Sequence, residues 1–259
     1  MTYRSFLPAV PLRPYIERYW LLTTGHRAGE EAVTLLPEGG INLVLNLGES
    51  VRSRNFPDMF GSEGPLLVGI MLRSDEQLLG GESRLFGIQF RPGAFTHFYR
   101  YESMDYSANK VQEFNRKEFP DLKKTIRYFV PYIDWFYLNR LSPPRYSLMN
   151  VVADIQQRRG QAKIEALAKR HFTTERQLER QFKFQIGVSP KEFIGLTRFR
   201  FALERLQRDG HRRSLADIAW DCGYYDHAHL ANDFKQYTGS SPSSFILSDF
   251  SKTIAADPY

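Results

Sequence analysis

Residues 164–193 read IEALAKRHFTTERQLERQFKFQIGVSPKEF, and residues 215–245 read LADIAWDCGYYDHAHLANDFKQYTGSSPSSF. The two stretches are copies of one unit. Leu167-Ala168 aligns with Ile218-Ala219 at an offset of 51. After one inserted residue the offset becomes 52, and it pairs Leu178, Phe182-Lys183, Gly187, Ser189-Pro190 and Phe193 with Leu230, Phe234-Lys235, Gly239, Ser241-Pro242 and Phe245. A fixed offset over this many positions marks an internal repeat.

Each copy reads as helix, turn, helix. Ile164, Leu167 and Ala168 recur at i, i+3 and i+4, which makes one apolar face. His171-Phe172-Thr173 is the turn. Thr174 is placed to cap the second helix, with Gln177 at the capping-box position. Leu178 and Phe182 bury its inner face, and Gly187 ends it by accepting a left-handed backbone. In the second copy Ser214 caps the first helix, Gly223 sits in the turn, and Asp226 caps the second helix. Between the copies, Ser189-Pro190-Lys191-Glu192 joins an N-cap, a proline at the first helical position and a capping-box acid. A connecting helix is expected from there to about Arg208. Its roughly 19 residues span about 28 Å, near the one-turn spacing of about 34 Å between successive major-groove faces. One chain can thus present two second helices to adjacent major-groove segments.

Charge sharpens this reading. The 259 residues hold 35 Lys/Arg and 29 Asp/Glu, for a net charge of +6. Residues 158–213 hold 15 Lys/Arg against 6 Asp/Glu, whereas residues 214–259 hold 2 against 6. The basic excess sits on the first copy and the connecting helix, which favours an anionic partner there. Ser142-Pro143-Pro144-Arg145 cannot continue a helix and reads as a linker. It divides the chain into 1–141 and 146–259.

The N-terminal part reads mostly as strands. Arg18–Thr24, Ile41–Leu47, Leu66–Leu72 and Arg84–Arg91 are apolar runs bounded by glycine turns. Positions 41, 43, 45 and 47 are expected to face a core. Asn42, Val44 and Asn46 on the other face are candidates to line a cavity. A sandwich or small barrel is expected. Around residues 121–138, Leu122, Ile126, Phe129, Ile133 and Phe136 fall at helical spacing, with a kink expected at Pro131. Its aromatic stripe, Tyr128, Phe129, Trp135, Phe136 and Tyr137, is expected to pack on the β-domain. Trp20, Trp135 and Trp220 are expected in cores. The fold class is therefore α+β, a β-rich N-terminal domain followed by an all-α domain of two helix-turn-helix units.

The C-terminal ~110 residues resemble the DNA-binding domain of AraC-type transcription regulators. The resemblance rests on Ile218-Ala219, Gly223-Tyr224, Asp233-Phe234-Lys235 and Gly239-Ser240-Ser241-Pro242, with Arg198 and Ala202 on the linker helix. Three positions depart from the family pattern: Ala228 replaces a hydroxyl residue, Leu230 an aromatic, and Asn232 a frequent arginine. Pro37-Glu38-Gly39-Gly40-Ile41-Asn42-Leu43 and Gly87-Ile88-Gln89-Phe90-Arg91-Pro92-Gly93-Ala94 look like the cupin-like sensor domain that precedes some of these DNA-binding domains. The resemblance implies a ligand-responsive transcription regulator acting on double-stranded promoter DNA in the cytoplasm. It also implies RNA polymerase as a partner if the chain is an activator, and leaves a small-molecule effector and a homodimer open.

The expected DNA-contacting residues follow. On the first recognition helix they are Thr174, Arg176, Gln177, Glu179, Arg180 and Lys183. Arginines at 176 and 180 share a face, and each can make a bidentate contact to guanine. On the second they are His227, Ala228, His229, Asn232 and Lys235. That helix carries little charge, so indirect readout or positioning is expected of it. The alternative for the first helix is a solvated basic face. Weak candidates for a ligand in the N-terminal domain are Glu38, Asn42 and Arg91, of which Glu38 and Arg91 read more readily as strand-end surface charges. Arg198 is expected to be structural.

No metal or other cofactor is expected. His227 and His229 point apart on a helix, and Cys222, the single cysteine, belongs to a turn as a small buried residue. A metal-cupin enzyme would need clustered histidines, and the N-terminal part offers only His26 and His97, on unrelated segments. No catalytic motif stands out, so a non-enzyme is expected. A cupin-like enzyme or a dimerisation scaffold with an appended DNA-binding module is the alternative. No signal peptide or membrane span is expected.

Overall fold

The computed structural model describes residues 1–25, 31–49, 51–56, 64–101, 103–122, 129–210, 212–247 and 253–254. The N-terminal strands are β1 (Thr2–Phe6), β2 (Ile16–Thr23), β3 (Glu31–Leu35), β4 (Ile41–Asn46), β5 (Arg52–Ser53), β6 (Pro65–Val68), β7 (Asp75–Leu79), β8 (Arg84–Phe90) and β9 (Val111–Glu113). They form two sheets. One has the order β1-β2-β8-β4-β6-β9, with every neighbouring pair antiparallel. The other is β3-β7-β5, to which a short strand β10 (Thr253–Ile254) adds in parallel beside β3. The chain end thus returns to the N-terminal sheet, which the sequence pattern does not foretell.

Strand alternation divides the larger sheet between two cores. Ile41 and Leu43 of β4, Leu67 of β6, and Phe86, Ile88 and Phe90 of β8 bury one face. Helix α1 (Phe129–Arg140) covers that face with Ile133 and Tyr137. Half-buried Asp134 fixes the helix: its Oδ1 accepts from the Tyr19 hydroxyl at 2.8 Å and from the Ala9 amide at 3.0 Å. The opposite face carries Leu22, Val44, Leu66 and Leu85, packed with Val33 and Leu79 of the second sheet. A one-residue register change would exchange these two sets.

Several local expectations need correction. The strand at 41 stops at Asn46, leaving Leu47 exposed rather than in the core. The Asn46 side chain turns the chain there, donating to the Glu49 carbonyl and accepting from the Gly48 amide. The strand at 66 ends at Val68 instead of running to Leu72. Pro131 is the third described residue of its helix, and the turn before it, where a kink is expected, lies outside the described residues. Trp135 is 61% and Trp220 79% exposed, so neither is core. Each falls on the side of its helix opposite the buried residues, Ile133 and Tyr137 for Trp135, and Ile218 and Ala219 for Trp220. Trp20 is half-buried. The aromatic stripe does pack on the β-domain through Phe129, Phe136 and Tyr137. Tyr128, Ile126 and His26 lie outside the described residues.

The helical part comprises α2 (Met149–Gln157), α3 (Ile164–Arg170), α4 (Glu175–Gln185), α5 (Pro190–Asp209), α6 (Leu215–Asp221), α7 (His227–Thr238) and α8 (Pro242–Leu247). α5 is the spine, and it starts where the capping signals place it. Ser189 Oγ accepts from the Glu192 amide, Glu192 Oε2 accepts from the Ser189 amide, and Pro190 stands first. Its 20 residues make it about 30 Å long. Phe193 and Leu196 join Leu178 and Phe182 of α4, while Phe199 packs on Phe234 and Tyr237 of α7. Gly160, at φ +72, allows the turn after α2 to lie against α5. A Cβ there would come within 2.5 Å of the Arg198 amide nitrogen.

The two parts share an apolar contact, since Leu36 and Ile70 pack into the helical core. Both recognition helices are held at their C-terminal ends. Ser103 Oγ donates to the Lys183 carbonyl of α4 at 3.5 Å. The Ser74 amide donates to the Tyr237 carbonyl of α7 at 2.8 Å.

Candidate nucleic-acid interface

Each recognition helix is capped at its free N-terminal end as its sequence dictates. Thr174 Oγ1 accepts from the Gln177 amide at 3.2 Å, and Asp226 Oδ1 accepts from the His229 amide at 2.7 Å. Each cap satisfies an otherwise orphaned backbone donor, typically worth about 1 kcal/mol. Leu178 and Phe182 on α4, and Leu230 and Phe234 on α7, are fully buried. Burial of those pairs fixes which face turns outward.

The outward face of α4 carries Thr174, Arg176, Gln177, Arg180 and Lys183, all exposed, with Glu179 half-exposed. Lys183 Nζ lies 4.0 Å from Glu179 Oε1. Arg176 and Arg180 make no hydrogen bond or ion pair among the described residues. Two guanidiniums one turn apart are therefore free to meet an external acceptor. On α7, His227, Ala228, Asn232 and Lys235 are exposed. His229 is different. It is half-buried, and its ring packs edge-on against Tyr224 at 5.0 Å.

Arg198 is structural. Its guanidinium lies 4.6 Å from the Tyr224 ring centroid and 3.5 Å from Asp233 Oδ2, which binds α5 to α7. Cys222 is buried, and burial pushes its thiol up to about 11.

Three features escape the sequence reading. Phe172 occupies the turn position that Gly223 holds in the second unit, and both have positive φ, at 52° and 75°. Phe172 is 98% exposed and Tyr225, in the other turn, 89%. The offset of 51 already aligned Phe172 with a glycine, so that signal was present. Second, Asp154 of α2 gathers Arg158, Arg170 and His171, with Arg158 Nε at 2.6 Å and His171 Nε2 at 3.2 Å. Burial raises its carboxyl, but the hydrogen bonds from Arg170, Arg158 and His171 outweigh this and hold it at about 2. Third, the N-terminal domain grips both recognition helices.

The N-terminal candidates separate. Glu38 and Asn42 line a cavity of about 120 Å³ between the two sheets. Gln89 Nε2 donates to Glu38 Oε2 at 2.6 Å, and Trp20 Nε1 donates to Asn42 Oδ1 at 3.2 Å. Arg91 is not in that cavity. It points to a cleft against α2 and α5. Among the described residues no group of three His, Cys, Asp or Glu is placed to hold a metal.

Residues 167–247 match the model of a helix-turn-helix domain family. These residues form a helix-turn-helix domain. Residues 4–112, ahead of this helix-turn-helix domain, match a family described as a domain of unknown function. Solved structures with similarity include ToxT from Vibrio cholerae strain SCE256 bound to an unsaturated fatty acid, at 11% identity and TM-score 0.48, over 88% of this chain and 95% of that one. The DNA-binding domain of AdpA in complex with a target DNA is 25% identical, with TM-score 0.37, over 40% of this chain and 94% of that one. The C-terminal domain of AraT, a response regulator from Geobacillus stearothermophilus, is 21% identical with TM-score 0.37, over 42% of this chain and 87% of that one. Curated proteins give no match. Among the described residues no helix is long and apolar enough to cross a membrane.

Proposed function

We propose that this chain is an AraC-type transcription regulator that reads a specific promoter sequence chiefly through α4, with α7 positioning the complex. One observation carries the reading: Arg176 and Arg180 stand exposed and unpaired on the face of α4 opposite buried Leu178 and Phe182. Each fits the O6/N7 edge of a guanine in bidentate fashion. Glu179 steadies Lys183 or accepts from a cytosine amino group. Thr174 and Gln177, at the helix start, lie where a phosphate meets the helix N-terminus. His227, Ala228, Asn232 and Lys235 offer one bidentate adenine reader, Asn232, and otherwise phosphate contacts. His229 serves mainly as packing against Tyr224. The same reading implies a cytoplasmic location, where such a regulator meets its DNA.

The N-terminal domain is proposed to sense a small effector in the cavity between the sheets. Its walls are largely apolar, including Leu22, Val44 and Leu85, with Glu38, Asn42 and Gln89 as hydrogen-bonding groups. A mixed lining of this kind holds an apolar body and orients a polar head. The loop that leaves β6 lines the cavity with Gly69, Met71 and Arg73, and its next residue, Ser74, bonds to α7. An effector that displaces this loop changes how α7 is held.

Selection of duplexes from a random pool by the full-length chain, at a stated salt concentration, tests the reading. Enrichment of a site with two blocks about one helical turn apart supports it, and a doubled site adds a dimer. If neither the full chain nor residues 145–259 enriches any sequence, the proposal is wrong.

A further inference from the structure

A second concavity lies away from both the recognition faces and the cavity between the sheets. It is a cleft of about 550 Å³ between α2 and α5, closed on one side by the end of β8. Thr197, Phe201, Glu204, Arg205 and Arg208 recur at helical spacing on α5 and form one wall. They occupy the face turned away from Phe199, which packs on α7. The cleft is therefore turned away from the α7 packing face of α5.

Its charge is one-sided. Arg91, Arg159, Arg200, Arg205 and Arg208 converge there, with Glu204 as the one acid among the lining residues. That acid is already engaged, with Arg208 Nη1 at 3.9 Å from Glu204 Oε1. Arg200 has no hydrogen bond or ion pair among the described residues. Arg159 is steadied by the Phe201 ring, 4.4 Å from its centroid. Arg205 donates to Asp209 Oδ2 at 3.2 Å, while its Nε is buried without a hydrogen-bond partner. Arg91 reaches in from the N-terminal domain, its Nε spent on the Arg13 carbonyl at 2.8 Å. Arg205 and Arg208 are both countered by Asp209, but Arg91, Arg159 and Arg200 have no ion pair among the described residues, and the planar forks facing one concave volume point to a shared anionic acceptor.

We propose that this cleft binds a small anion carrying two or more phosphate groups. The volume is that of a small-molecule site. A single carboxylate would leave most of the guanidiniums unmatched, whereas linked phosphates concentrate several charges and many acceptor oxygens in such a space. The site is composite. Arg91 comes from the β-domain and the other four arginines from the helical domain, so the bound anion fastens the end of β8 to the linker helix. It acts on the relation between the two domains and leaves the base-reading face clear.

The test is isothermal titration of the full-length chain with sodium tripolyphosphate, without DNA, at an ionic strength held constant with sodium chloride. Saturable binding at one anion per chain is expected. Loss of one charged hydrogen-bonding partner should weaken affinity about tenfold or more in Arg200→Ala and in Arg159→Ala. Arg180→Ala, on the recognition face, should bind as the wild type does. Both cleft residues are on the surface, and an unchanged melting temperature without ligand confirms that the variants fold. Absence of saturable binding overturns the proposal. So does binding lost in Arg180→Ala but kept in Arg200→Ala, which would put the anion on the DNA-reading face. A third measurement separates a free anion from a duplex phosphate. If Arg200→Ala lowers the salt dependence of duplex binding, the cleft holds the DNA backbone and the small-anion reading falls.

Discussion

At the scale of single residues, Phe172 carries a cost that its counterpart in the other unit avoids. Its φ of 52° lies in the left-handed region, where Gly223 of the second unit also sits. A bulky residue held there costs of the order of 1–3 kcal/mol. Being 98% exposed, its ring returns no burial. Phe172→Gly gives back roughly 0.5–1 kcal/mol through the freer unfolded chain, so the net expectation is a gain of about 1 kcal/mol in denaturant unfolding. An unchanged or lower midpoint would mean that the exposed ring contributes something the fold does not reveal. Cys222 gives a second residue-scale expectation. With its thiol buried and pushed up to about 11, it should resist maleimide at neutral pH in the native state and label fully in denaturant. Rapid native labelling would show that the turn before α7 opens. Trp220, two residues earlier, is expected in a core from its type and is exposed. Aromatic identity alone does not report burial when the helix face is already set by Ile218 and Ala219.

At the scale of elements, the helices were the legible part, because caps and periodicity act locally. Ser189-Pro190 with Glu192, Thr174, Ser214 and Asp226 each mark a helix start, and each side chain is found bonded to the expected backbone amide. The short strands were less legible. β3, β5, β7 and β9 hold two to five residues each, and β7 (Asp-Glu-Gln-Leu-Leu) lacks any strand-like composition. Their existence depends on partners distant in sequence. The Asp154 cluster is invisible for the same reason, since it needs α2 to lie beside the end of α3. Its consequence is measurable. Asp154 is held at about 2 in the fold against an ordinary 3.8. A carboxyl depressed on folding contributes stability above its unfolded value, and that contribution disappears as pH falls through the folded value. The melting temperature should therefore decline between about pH 4 and pH 2, more steeply than in Asp154→Asn, which should also melt lower at pH 7. Equal slopes for the two proteins would show that the cluster does not form. On α4 itself, Arg180→Ala should cost about 1–3 kcal/mol in specific binding and relax the base preference at one position. Uniform weakening across all sequences would instead make Arg180 a phosphate contact.

At the scale of the whole molecule, the linker motif Ser142-Pro143-Pro144 suggests two independent halves, but the packing ties them more closely. Leu36 and Ile70 enter the helical core, Ser74 and Ser103 bond to the C-terminal ends of α7 and α4, and β10 returns the chain end to the first domain's sheet. Gly187 is the tightest point. At φ +103 it ends α4, and a Cβ there would lie 2.6 Å from the Met104 carbonyl oxygen. Gly187→Ala therefore carries two penalties in the intact chain, backbone strain and a backbone clash with the β-domain. In residues 145–259 only the strain remains. We expect that fragment to fold by itself, because Tyr146 and Leu148 stay attached to the core they pack in. The substitution should lower the melting temperature of the full chain by clearly more than that of the fragment, as read by circular dichroism. Equal losses would mean that the β-domain does not lean on α4, and an effector in its cavity would then have to reach the DNA through the Ser74 contact to α7 and the Leu36 and Ile70 packing. An excess loss in the full chain would establish a direct mechanical path from the β-domain to the helix that carries Arg176 and Arg180.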